Sequence, residues 1–155
     1  LDDSIDLNSM VRSATTLVSN LIKKSTQQFH LELGADLPPV RGRFQELEQV
    51  VINLVCNACD LLPDRSSALN LATWHDTGAG MVVIEVTAGD ATLSSFNAVE
   101  LSNEEANRWR LGDDRLWFWV SAQIVRDHGG TLDLSSRPGL GVVATVRIPA
   151  SEEQD

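Results

Sequence analysis

The chain is short of cations: 12 Lys and Arg stand against 22 Asp and Glu, a formal net charge of −10 over 155 residues. Phosphate polymers and anionic bilayers are held by Lys/Arg surfaces, so this balance argues against nucleic acid and against direct membrane contact. No apolar run approaches the ~20 residues of a membrane helix, and no signal peptide is visible. Repeats and low-complexity linkers are missing too. Of the two cysteines, Cys56 and Cys59, neither belongs to a second pair that would complete a zinc site, and mid-helix they have no helix N-terminus to acidify a thiol. They read as small buried hydrophobes in a reducing compartment. What remains is 43% hydrophobic and 22% charged, enough for one domain with a real core, since domains run to ~100–150 residues. The chain opens at Leu1 rather than Met, so residues 1–155 are expected to be one domain excised from a larger protein.

Periodicity outlines the elements. Residues 1–8 are expected to hold the end of a linker and a first strand, 9–25 a helix, and 28–34 a strand. A long helix over 45–62 is stopped by Pro63-Asp64. Strands over 68–74 and 81–88 are joined by the turn His75-Asp76-Thr77-Gly78-Ala79-Gly80. Residues 116–128 read as a helix that Gly129 caps in the left-handed conformation. Strands over 131–135 and 142–148 close the chain as a hairpin. The expected fold is α/β (α+β): a two-layer sandwich of a mixed, mostly antiparallel sheet of about five strands, with about three helices on one face.

The long helix carries two patterns. Leu47, Val50, Val51, Leu54, Val55, Ala58, Leu61 and Leu62 recur at the spacing of a core-facing stripe. Beside them Glu46, Gln49, Asn53, Asn57 and Asp60 stand three or four apart, so amides and carboxylates line up along one side. That row contains no cation. Its oxygens suit a hard metal such as Mg²⁺, while the bland reading is an amphipathic helix with capping amides.

Within this helix Gln49-Val50-Val51-Ile52-Asn53-Leu54-Val55-Cys56-Asn57-Ala58 resembles the N box, Q-V-x-x-N-L-x-x-N-A, of the histidine-kinase ATP-binding domain, the GHKL or Bergerat-fold superfamily. Upstream, Asp6-Leu7-Asn8 and Asp36-Leu37-Pro38-Pro39-Val40-Arg41-Gly42 resemble that family's lead-in. Downstream, Ile124-Val125-Arg126-Asp127-His128-Gly129-Gly130 resembles its I-V-x-x-H-G-G helix end. Residues 138–149 resemble its closing P-G-x-G hairpin. The resemblance covers nearly the whole chain in the family's order and implies a Bergerat-like fold. It also implies that Asn57 corresponds to the ligand of the Mg²⁺ bridging the ATP phosphates, and Asn53 to the residue nearer the γ-phosphate.

Two boxes of that family are missing. After the second strand the family has D-x-G-x-G, whose Asp accepts a hydrogen bond from the adenine amino group and whose glycines let the backbone approach the nucleotide. The aligned residues are Ala88-Gly89-Asp90-Ala91-Thr92, and Ala88 cannot accept that bond. A literal D-x-G-x-G, Asp76 to Gly80, precedes the strand it should follow and reads as a turn. The family's G-x-G-L-S, which exposes backbone N–H groups to phosphate, aligns with Arg115-Leu116-Trp117-Phe118-Trp119. Three large rings in a row cannot all face one core stripe, so at least one is expected to fill the space of a nucleotide. Between these boxes, residues 93–115 lack the family's lid pattern. Glu100, Glu104, Glu105, Asp113 and Asp114 would repel a triphosphate, against Arg108, Arg110 and Arg115, and the stretch reads as a solvated loop in which Arg108-Trp109-Arg110 could mark a protein contact. His30, His75 and His128 are in no context resembling a phosphoacceptor helix.

Two functions follow from the resemblance. In the first, the chain is the ATP-binding-like domain of a cytoplasmic two-component sensor protein, unable to bind ATP normally and needing no cofactor. It then acts as a scaffold that docks on the dimerisation and phosphoacceptor helices of its parent and on a response-regulator receiver domain. In the alternative it is an active catalytic domain that binds Mg-ATP and phosphorylates a histidine on a separate dimerisation domain. Asn57 would then hold the metal with Asn53 and Asp60 nearby, Asp90 would stand in for the adenine-reading Asp, and Gly139 and Gly141 would shape the floor. Loss of both glycine boxes favours the first, with Ala88, Trp117, Phe118 and Trp119 as the occluding residues.

Overall fold

The computed structural model describes residues 2–91, 116–137 and 139–151. Strand β1, Asp3–Ile5, leads into helix α1, Leu7–Leu17. Asp6 caps α1 by accepting the Ser9 N–H at 3.3 Å, which ends the lead-in at residue 6 and starts the helix two residues before the expected Ser9. The helix expected over 9–25 is two helices, α1 and α2, Ser19–Ser25, broken at Val18 with φ −111° and ψ 20°. Neither Gly nor Pro marks the break. It follows Thr15-Thr16, where the Thr15 hydroxyl donates back to the Arg12 carbonyl at 3.0 Å, a bond that bends helices, and β-branched side chains crowd the turn.

Strands β2, Gln28–Leu33, and β3, Val40–Gly42, precede the long helix α3, Phe44–Leu61. Strands β4, Ala68–Asp76, and β5, Met81–Ala88, form the expected hairpin. Helix α4, Leu116–Asp127, then leads into the hairpin of β6, Thr131–Arg137, and β7, Gly141–Pro149. The main sheet has five strands in the order β2-β4-β5-β7-β6. β2 runs parallel to β4, with Leu31 opposite Leu71, and the other pairs are antiparallel. β1 and β3 make a separate antiparallel ribbon, Asp3 opposite Gly42. Four described helices thus accompany the sheet instead of three.

Alternate residues of the central strands supply one wall of the core: Leu69 and Leu71, then Ile84 and Val86, then Val142, Ala144 and Val146. Leu47, Val50, Val51, Leu54 and Val55 of α3 pack on them, with Met10 and Val11 of α1 and Phe118 and Val125 of α4 at the flanks. A half-buried polar knot ties α1 to the strands. Asn8 donates to the Gly34 carbonyl at 2.8 Å and accepts from the Thr73 hydroxyl at 2.7 Å, and that hydroxyl in turn accepts the Gly34 N–H at 3.0 Å. Each polar group removed from water there meets a partner.

Candidate functional site

The polar row of α3 is largely spent on internal bonds. Glu46 pairs with Arg43, the helix's N-cap residue, at 2.9 Å, so a cation from outside the row does reach its first member. Arg43 also pairs with Asp2 at 3.0 Å. Gln49 donates its amide to Asn53 Oδ1 at 2.9 Å, and Asn53 donates its own amide to Ser121 Oγ at 3.1 Å. Ser121 lies fully buried on α4. Asn53 therefore joins α3 to α4, with both ends of its amide engaged. Asn57 donates to the Asn53 carbonyl at 2.8 Å, one turn back, and its Oδ1 has no hydrogen-bond partner among the described residues. Asp60 is exposed near the end of the helix.

Asn57 looks into a small cavity between α3, the ends of β5, β6 and β7, and the start of α4. Leu54, Asn57, Ala58, Leu61, Val86, Ala88, Trp117, Leu134, Val142 and Ala144 line it, and its volume is about 20 Å³. That is room for about one water. Among the described lining residues none is charged, and Asn57 and the Trp117 indole N–H are the polar groups. Ala88, 1% exposed, ends β5 where the resemblance requires a carboxylate.

Beyond Ala88 the chain turns away. Gly89 donates to the Ala68 carbonyl at 2.8 Å, and Asp90 takes a left-handed φ of 62°. The Asp90 carboxylate is exposed and accepts the Ser67 hydroxyl at 3.2 Å, so it lines no part of the cavity. Gly141 has a different task from a phosphate floor: a Cβ there would stand 2.1 Å from the Ala88 carbonyl oxygen, so only Gly lets β7 approach the end of β5. Gly139 lies in an open turn with nothing within 4 Å of its would-be Cβ. Asp76 to Gly80 is the β4–β5 turn: Asp76 accepts the Ala79 N–H at 3.2 Å and meets Arg147 at 3.5 Å.

The three rings at the start of α4 divide between core and cavity. Phe118 is buried in the core with Trp117 and Trp119 set edge-on against it, at centroid distances of 5.8 and 5.0 Å. Trp117 is half-buried and forms one wall of the cavity. Trp119 packs on the core without reaching the cavity, its buried Nε1–H unpartnered. The loop 93–115, with Arg108, Trp109 and Arg110, as well as Thr92 and Pro138, falls outside the described residues.

Among the described residues a Mg-nucleotide finds one candidate ligand. Asn57 Oδ1 could serve as one metal ligand, but no group of three or more His, Cys, Asp or Glu gathers among the described residues. Among the described residues of the cavity wall, none carries a carboxylate for an adenine amino group or a cation for phosphate. Nor do the cysteines make a reactive site. Burial raises the Cys59 thiol above its ordinary range, against a Ser25 hydrogen bond that lowers it, and burial and Asp60 raise that of Cys56.

The role of His128 was not legible in the sequence. Its Nε2 accepts the Arg43 N–H at 3.1 Å while Nδ1 faces the Ile124 carbonyl at 2.8 Å, which places the proton on Nδ1. Gly129, φ 82°, then ends α4 in a Schellman motif: its N–H reaches Arg126 at 2.9 Å and that of Gly130 reaches Val125 at 3.0 Å.

No family model matches the chain. Its sequence is 24% identical to Sporulation kinase E of Bacillus subtilis over 155 residues, covering 94% of this chain and 19% of that protein. It is 27% identical to the sensor histidine kinase ZraS of Escherichia coli over 154 residues, covering 96% and 31%. The signal transduction histidine-protein kinase AtoS of Escherichia coli is 24% identical over 152 residues, covering 96% and 24%. The chain thus spans less than a third of the length of these relatives. Among solved structures, the nucleotide-free catalytic domain of the histidine kinase ThkA matches with a TM-score of 0.76 at 21% identity, covering 97% of this chain and 96% of that one. A complex of ThkA with the response regulator protein TrrA matches with a TM-score of 0.75 at 22% identity, covering 99% and 43%.

Proposed function

We propose that the chain is a domain of the histidine-kinase ATP-binding type that no longer takes ATP in the normal way and serves two-component signalling as a docking scaffold. The observation that carries this reading is the apolar cavity beside Asn57, walled by Ala88 and Trp117. Ala88 gives the adenine amino group no acceptor there. A triphosphate finds no cation on the cavity wall and a domain of net charge −10 around it.

A scaffold of this kind would act in the cytoplasm, held by the dimerisation and phosphoacceptor helices of its parent protein and offering a surface to a response-regulator receiver domain. The likeness to ThkA, whose complex with TrrA shares this fold, supports that class of partner. No helix among the described residues is long and apolar enough to cross a membrane.

The alternative, an active domain passing the γ-phosphate of Mg-ATP to a histidine on a separate dimerisation domain, is favoured by one observation: among the described residues nothing engages Asn57 Oδ1 at the family's metal position. Calorimetric titration with a non-hydrolysable ATP analogue and Mg²⁺, with the fluorescence of the four tryptophans read in parallel, separates the two. No binding at about millimolar nucleotide, a free energy weaker than about −4 kcal/mol, is the expected result. Micromolar, Mg²⁺-dependent binding would overturn the scaffold reading.

A further inference from the structure

We propose that the outer edge of strand β2 is a contact surface for a second copy of this chain, joined by antiparallel β2–β2 pairing about a two-fold axis through Leu31. β2 is a terminal strand of the main sheet, and the ladder it makes is with β4. Its other edge presents backbone N–H and C=O groups that no described strand pairs. Sheet edges are usually guarded by Lys, Pro, a bulge or shortness. β2, Gln-Phe-His-Leu-Glu-Leu, has six residues in unbroken register with β4 and contains no Lys and no Pro.

Its side chains alternate cleanly. Phe29, Leu31 and Leu33 lean on the core from the helix side and remain half-exposed at the edge. His30 and Glu32 point to the opposite face, are exposed, and have no hydrogen-bond or ion-pair partner among the described residues. A two-fold axis perpendicular to the sheet keeps the faces of the two copies aligned, so only registers that place helix-side residues opposite helix-side residues are allowed.

Three such registers keep most of the strand paired, and charge chooses among them. Centring on His30 sets imidazole against imidazole. Centring on Glu32 sets two carboxylates directly opposite, which repels. Centring on Leu31 sets His30 opposite Glu32 twice, an imidazole N–H facing a carboxylate each time. The same register places Phe29 against Leu33 twice and Leu31 against its own copy, burying the half-exposed apolar edge. The other terminal strand, β6, lacks this complementarity: it carries Thr131, Ser135 and Ser136, and Arg137 is already 3.9 Å from Glu85.

The contact is small, so association should depend on concentration. The test is sedimentation equilibrium of the 155-residue chain under reducing conditions, comparing wild type, His30→Glu, and the swapped double variant His30→Glu with Glu32→His. Both positions are exposed, and circular dichroism checks that each variant keeps the fold. Wild type is expected to dimerise. His30→Glu replaces two attractive pairs by two repulsive ones and should weaken the dimer about tenfold, while the swap restores it. A chain that stays monomeric to about 1 mM, a dimer indifferent to His30→Glu, or a swap that fails to restore association would each overturn the proposal.

Discussion

The imidazole of His128 accepts the backbone N–H of Arg43 at 3.1 Å, so the end of α4 holds the residue that starts α3. The arrangement also explains Gly42: a Cβ there would stand 2.4 Å from His128 Cδ2, inside any tolerable contact with a ring held on both of its nitrogens. His128→Ala should therefore destabilise the chain by about 1–3 kcal/mol, the cost of a lost hydrogen bond and an unpaired donor. Gly42→Ala should destabilise wild type and be nearly neutral in the His128→Ala background. A urea-unfolding double-mutant cycle reads that coupling, and additive effects would show that the two residues do not meet.

A second coupling joins the same helices. Asn53 reaches Ser121 at 3.1 Å from within the polar row of α3, and Ser121 is fully buried. Ser121→Ala should cost about 1 kcal/mol and Asn53→Ala about 1–2 kcal/mol, with a coupling of at least about 0.5 kcal/mol between them in chemical denaturation. If the two add independently, the amide row is a solvated face and not a strut between helices.

Both contacts show why part of this molecule could be read from its sequence and part could not. The 3.6-residue stripe from Leu47 to Ala58 and the apolar runs of β5 and β7 announce their elements because burial on one face imposes a period. The break at Val18 leaves no such mark, since Val-Ser there looks like ordinary helix and the bend comes from a side-chain bond to the backbone. Ser121 and His128 are beyond local reasoning altogether, because their partners stand 68 and 85 residues away. Asp90 could be aligned with a site, but only the fold shows its carboxylate turned to Ser67.

The thiols give a pH dependence with a definite sign. Burial raises Cys59, and burial with Asp60 raises Cys56, above the thiol range of the unfolded chain. The folded state therefore holds these protons longer than the unfolded state, and the associated stability is fully present below the unfolded thiol pKa and lost as pH rises through the folded one. Stability should fall above about pH 8.5, where an unfolded thiol ionises, and fall less in a Cys59→Ala variant. Thermal melts across that range test it. A matching check is alkylation: Cys59 should resist iodoacetamide at neutral pH and react once urea unfolds the chain.

Trp117 and Ala88 offer the sharpest handle on nucleotide binding, because the first walls the cavity and the second ends β5 beside it without a carboxylate. Trp117→Gly takes away a half-buried ring and should cost about 3 kcal/mol, and added indole, able to enter the space vacated, should recover part of that loss. Combining it with Ala88→Asp restores both an opening and a carboxylate next to Asn57. The double variant is expected to be less stable than wild type, since an unpaired carboxylate at a position 1% exposed is costly. It should nevertheless gain a rise in melting temperature with Mg-ATP that wild type lacks, because a ligand bound only by the folded state stabilises it by mass action. Indole rescue without any nucleotide response would mean that the ring closes the cavity but that the missing phosphate contacts, not the ring, keep ATP out. Failure of both would show that Trp117 and Ala88 do not govern nucleotide binding by this domain.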